Sequence, residues 1–66
     1  MDAYRAVTIS IGGKVYEGQY FMTLGGLTVL YSAYGNAVSS VVSVDGKEIA
    51  ETLLREVVER KLAQRV

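Results

Sequence analysis

Sixty-six residues and 7.2 kDa make one domain, residues 1–66, since compact domains run from roughly 50 to 250 residues. Cysteine and histidine are both absent, which removes disulfides, thiolate chemistry, imidazole bases and most transition-metal sites. Seven basic and seven acidic side chains cancel, so no net field draws the chain toward nucleic acid, anionic lipid or acidic substrates.

The first predicted strand covers about residues 4–11. Val7, Ile9 and Ile11 alternate with Ala6, Thr8 and Ser10, the period of an extended chain with one buried face. Gly12 and Gly13 supply a tight hairpin turn, and a second strand runs over about residues 14–22. A two-residue turn sets Ile11 against Lys14, Ile9 against Tyr16, Val7 against Gly18 and Arg5 against Tyr20. Gly18 marks a bulge or a place where a ring covers the backbone.

The third and fourth strands are predicted at about 27–34 and 37–44, around a two-residue turn at Gly35 and Asn36. That turn pairs Leu27 with Val44, Val29 with Val42, Tyr31 with Ser40 and Ala33 with Val38. A connection of either two or four residues between the hairpins puts even positions of the second strand on the same face as odd positions of the third. Both lengths therefore gather Val29, Tyr31 and Val42 on the core side.

After Val44 the period changes to that of a helix, at about residues 46–64. Asp45 and Glu48 have the spacing of a capping box, and Val44 and Ile49 that of a hydrophobic staple. Ile49, Ala50, Leu53, Leu54, Val57 and Val58 form one apolar stripe. From Lys47 to Arg65 the helix spans roughly 28 Å, close to the length of an eight-residue strand. The expected fold is α+β: a four-stranded antiparallel β-meander with one C-terminal α-helix packed on one face.

No charge falls between Gly18 and Val44. Glycine pairs and scattered Ser, Thr and Gln interrupt that stretch, so it does not read as a membrane helix. The N-terminus lacks the basic and apolar regions of a signal peptide. A cytoplasmic protein that makes no membrane contact is the default expectation.

With the helix over one face, the other carries a single charge, Glu17. Val15, Phe21, Leu30, Tyr34 and Val41 are the expected contact set there. A face of low charge with large apolar groups is one that becomes covered. A domain this small buries only about 60% of its unfolded surface, so a second copy is the expected cover, as an isologous dimer. A heterologous protein partner is the other possibility.

Chemistry is sparse. Neither Gly12–Gly13 nor Gly25–Gly26 fits a dinucleotide fingerprint or a phosphate loop. Ser10 with Lys14, and Ser43 with Lys47, lack oxyanion donors and a third group. Asp45 and Glu48 are accounted for as caps. No catalytic residue, cofactor or metal site is expected, and the chain reads as a non-enzymatic interaction domain. The alternative is a nucleic-acid-binding module that uses its five tyrosines and the basic helix end at Arg60, Lys61 and Arg65. Its order of four strands then a helix is similar to that of the Whirly single-strand binders, an analogy of order that brings no motif with it.

Overall fold

The computed structural model describes residues 4–41 and 46–64. Strands β1 (Arg5–Ile11), β2 (Lys14–Met22), β3 (Thr28–Ser32) and β4 (Gly35–Val38) form one antiparallel sheet in the order β1-β2-β3-β4, followed by α1 (Lys47–Ala63). The helix packs on one face of the meander, as the periodicity predicts. Ala50, Leu53, Leu54, Val57 and Val58 point into the core with Val7, Ile9, Tyr16, Tyr20 and Leu30. Each large aliphatic side chain buried this way contributes about 1.5–3 kcal/mol.

The first hairpin adopts the expected register, with Gly12 and Gly13 at positive φ between Ile11 and Lys14. The second hairpin differs. β2 pairs with β3 through Tyr20 and Leu30, Phe21 and Val29, and Met22 and Thr28, so even positions of β2 share a face with even positions of β3. The cause is an odd-length loop. The Thr23 N–H donates to the Leu27 carbonyl at 2.9 Å, and the Leu27 N–H donates to Thr23 Oγ1 at 3.1 Å. Leu24, Gly25 and Gly26 alone make the turn. Gly26 has φ 87°, the left-handed third position of a three-residue hairpin loop.

One residue of loop length turns β3 over. Leu30 is fully buried beneath α1, and Thr28 with it, whereas Val29 and Tyr31 face away from the helix. The β3–β4 turn sits at Ala33 and Tyr34, four register steps from the expected Gly35–Asn36 pairing: Ser32 opposes Gly35 and Val29 opposes Val38. The Ser32 hydroxyl holds this turn, accepting the Tyr34 N–H at 3.1 Å and donating to the Gly35 carbonyl at 2.7 Å. β4 stops at Val38 rather than at 44. Ser39 Oγ accepts the Val41 N–H at 3.0 Å and bends the chain away. The expected partners Val42 and Val44 lie outside the described residues.

The inverted register has a packing reason. It aligns Val7, Gly18, Ser32 and Gly35 in one row across all four strands, a shallow trough for the helix. A Cβ on Gly18 would stand 3.3 Å from Leu54 Cδ1, and one on Gly35 would stand 3.0 Å from Val57 Cγ1. Gly35 thus serves close helix approach rather than a turn, and Gly18 lies in regular ladder without a bulge. At the helix start the N-cap is Gly46, with no side-chain cap hydrogen bond; Asp45, the expected cap, lies outside the described residues. A side chain there would meet Thr28 Oγ1 at 2.9 Å and Met22 Cγ at 3.1 Å. The staple through Val44 lies outside the described residues.

Candidate functional site

The face of the sheet opposite α1 is the candidate site. Register places Phe21, Val29 and Val38 in a single row that crosses β2, β3 and β4, and Tyr4, just before β1, sets its ring beside Phe21 at the end of that row. The Tyr4 ring meets Phe21 edge-on at 5.1 Å and Tyr31 at 6.0 Å, and Phe21 and Tyr31 stack at 6.0 Å with planes 13° apart. Phe21 and Tyr31 are diagonal cross-strand neighbours, within reach for aromatic side chains. Such ring pairs are worth about 0.5–1.5 kcal/mol beyond the area they bury.

This cluster remains open to solvent. Tyr4 is 52% exposed, Tyr31 41% and Val38 61%, with Phe21 and Val29 half-buried between them. The patch continues to the β2–β3 hairpin tip, where Leu24 is fully exposed and Leu27 half-buried. The rest of the face is small and neutral: Ala6, Thr8, Ser10, Gln19 and Asn36. Glu17, opposite Thr8, is its only charged residue among the described residues.

β3 is inverted relative to its own composition. Its largest apolar groups except Leu30 face solvent, and Thr28 and Ser32 face the core. Thr28 is fully buried with its hydroxyl unpaired, a cost of about 1–3 kcal/mol. A buried unsatisfied polar group beside an exposed apolar patch is the informative departure from inside-out sorting.

The contact set expected from sequence divides among three places. Phe21 lies at the centre of the outer face. Val15 is on that face but at its far end, about 20 Å along the strand. Leu30 is corrected to the core, where it has no exposure. Tyr34 is on the helix side, half-buried, with its ring edge-on to Tyr16 at 5.3 Å. Val41 lies beyond β4, exposed, beside α1. Tyr4, Val29, Tyr31 and Val38 were missed; the glycine at the third position of the Leu24–Gly26 loop signals the last three, and the alternation of β1 continued by one residue signals Tyr4. Arg60 and Lys61 sit in the last turn of α1, across the sheet from the aromatic cluster. Arg65 lies outside the described residues.

Among the described residues, no group of three or more acidic, histidine or cysteine side chains is placed to hold a metal ion, and no helix is long and apolar enough to cross a membrane. Comparison with protein-family models, with curated proteins and with solved structures finds no match to this chain.

Proposed function

We propose that the protein is a small non-enzymatic interaction domain that self-associates through the outer face of its sheet, with Tyr4, Phe21, Val29, Tyr31 and Val38 as the contact. The observation that carries this reading is the apolar row across β2, β3 and β4, joined by the Tyr4 ring, on a face with one charge among the described residues. A second copy suits such a face. Among the described residues it carries no charge but Glu17, and small Ala, Ser and Thr side chains beside the aromatic cluster let two sheets approach to about 10 Å.

Area sets the strength. The 25 strand residues cover about 400 Å² of flat sheet at strand spacing and rise per residue. Side-chain relief and the hairpin tip bring two faces to about 1,000 Å². That is the small end of specific interfaces, where association is weak and reversible. A dimer in the micromolar range is expected rather than an obligate one.

The test is solution mass by light scattering across concentration. Unmodified chain should pass from 7.2 kDa toward twice that value, and Tyr31→Lys or Val38→Lys should remain monomeric with an unchanged far-ultraviolet spectrum. A monodisperse monomer at millimolar concentration overturns the proposal. The exposed aromatic trio also suits base stacking, the basis of a nucleic-acid reading. Among the described residues, however, no cation shares its face, and single-strand grooves pair stacking with positive charge. Titration with labelled single strands at low salt distinguishes the two.

A further inference from the structure

The five tyrosines divide by exposure. Tyr16 and Tyr20 are buried in the core beneath α1 and Tyr34 is half-buried on the same side, whereas Tyr4 and Tyr31 are exposed. Those two rings, far apart in the chain, lie side by side with centroids 6.0 Å apart and planes at 62°. Phe21 is edge-on to Tyr4 at 5.1 Å and stacked on Tyr31 at 6.0 Å, so it packs against both phenols without standing between them. Holding two reacting groups in contact raises the effective concentration of one at the other. The chain has no cysteine or tryptophan, which leaves the phenol as its side chain most readily oxidised by one electron.

We infer that Tyr4 and Tyr31 form an oxidative cross-linking site, closed to a dityrosine by a one-electron oxidant of the haem-peroxidase class acting with hydrogen peroxide. Each phenol gives one electron and one proton to the oxidant and becomes a phenoxyl radical, whose spin reaches the ring carbons ortho to oxygen. A Cε of Tyr4 then bonds a Cε of Tyr31, and the hydrogen displaced from each carbon returns to its phenol oxygen. One hydrogen peroxide is reduced to two waters, and the protein loses two hydrogen atoms. Bond formation needs the rings nearer than 6.0 Å. Tyr4 precedes Arg5, the first residue of the ladder, and an exposed side chain changes rotamer within nanoseconds.

The product ties the residue before β1 to β3 across β2. It closes residues 4–31 into one loop, and a cross-link of this kind stabilises by restricting the unfolded chain. A domain this small commonly relies on such a staple, and without cysteine it has no disulfide to serve. Tyr16 and Tyr34 are nearer neighbours, at 5.3 Å, but Tyr16 is a core side chain that a peroxidase cannot reach. The site is independent of self-association, because both rings belong to one copy.

The test is oxidation of the unmodified chain by a haem peroxidase and hydrogen peroxide at submicromolar protein, below the range in which two copies meet. Trypsin cuts after Arg5, Lys14 and Lys47, which puts Tyr4 on peptide 1–5 and the other four tyrosines on peptide 15–47. We expect dityrosine fluorescence, a monomer on a denaturing gel, peptides 1–5 and 15–47 joined with the loss of two hydrogen atoms, and a Tm raised by about 10 °C. Tyr4→Phe and Tyr31→Phe keep each ring and remove its phenol, and either should lower the dityrosine yield at least about tenfold, the loss of a preformed contact. Absence of dityrosine under conditions that cross-link free tyrosine overturns the inference. So does a product confined to peptide 15–47, a product found only between two copies, or a yield that Tyr31→Phe leaves unchanged.

Discussion

Gly18→Ala is the sharpest perturbation of the helix–sheet contact. On local grounds the substitution should help, since glycine inside a strand costs about 0.5–1 kcal/mol relative to alanine. Packing opposes it. The new Cβ would lie 3.1 Å from the Tyr31 carbonyl oxygen and 3.3 Å from both Leu54 Cδ1 and Ser32 Cβ. Two of these neighbours belong to the adjacent strand, so relief has to come from α1 lifting off the trough. Overpacking of this kind costs about 1–3 kcal/mol, which matches or exceeds the propensity gain and leaves a net loss of up to about 2.5 kcal/mol. In a domain of this size that lowers Tm by about 4–8 °C per kcal/mol. The assay is urea and thermal unfolding by circular dichroism at one low protein concentration, since association itself shifts apparent stability. Leu54→Ala alone should cost about 2–5 kcal/mol and about 1 kcal/mol less in the Gly18→Ala background, because truncation relieves the clash. A more stable Gly18→Ala protein, or strict additivity in the double mutant, would refute the close approach of Leu54 to β2.

Thr28→Val should stabilise the fold by about 1 kcal/mol, because it removes a buried hydroxyl without a partner; a lower urea midpoint would show that the hydroxyl is satisfied in solution. Gly26→Ala should cost about 1 kcal/mol or more through its left-handed φ, whereas Gly25→Ala, with only Thr23 Oγ1 near at 3.9 Å, should be close to neutral. Equal effects at the two glycines would argue against the three-residue loop. Leu30→Lys should unfold the domain and Val29→Lys should leave it folded, as read by near-ultraviolet circular dichroism; the reverse result would return β3 to the opposite face.

The first hairpin and the helix stripe were legible because both rest on strong periodicity: alternation from Val7 to Ile11, and helical spacing from Ile49 to Val58. The second hairpin was not, because its hydrophobic pattern points the wrong way. Leu27, Val29 and Tyr31 form the more apolar side of β3, and every even-length loop puts them in the core. Three physical facts outweigh that pattern: an odd loop closed by Thr23, a turn held by Ser32 instead of by Gly35 and Asn36, and a helix that needs Gly18, Ser32 and Gly35 aligned beneath it. The first two are local side-chain-to-backbone hydrogen bonds and the third is a tertiary demand for small side chains; none of them shows in a count of apolar positions. The idea of a nearly uncharged free face outlasts the error, because β1 and β2 were oriented correctly and Glu17 is its only charge among the described residues. Its membership changes: Phe21 stays, Leu30 and Tyr34 move beneath the helix, and Tyr4, Val29, Tyr31 and Val38 enter.

The most direct measurement is a dilution series of methyl and aromatic-ring NMR spectra on the unmodified chain. We expect the signals of Val29, Val38, Phe21 and Tyr31 to move together with concentration along one dimerisation isotherm, while Val57 and Val58 in the core stay fixed. Shifts confined to α1 or to β1, or spectra that do not change up to millimolar concentration, would contradict the outer sheet face as the surface on which two copies meet.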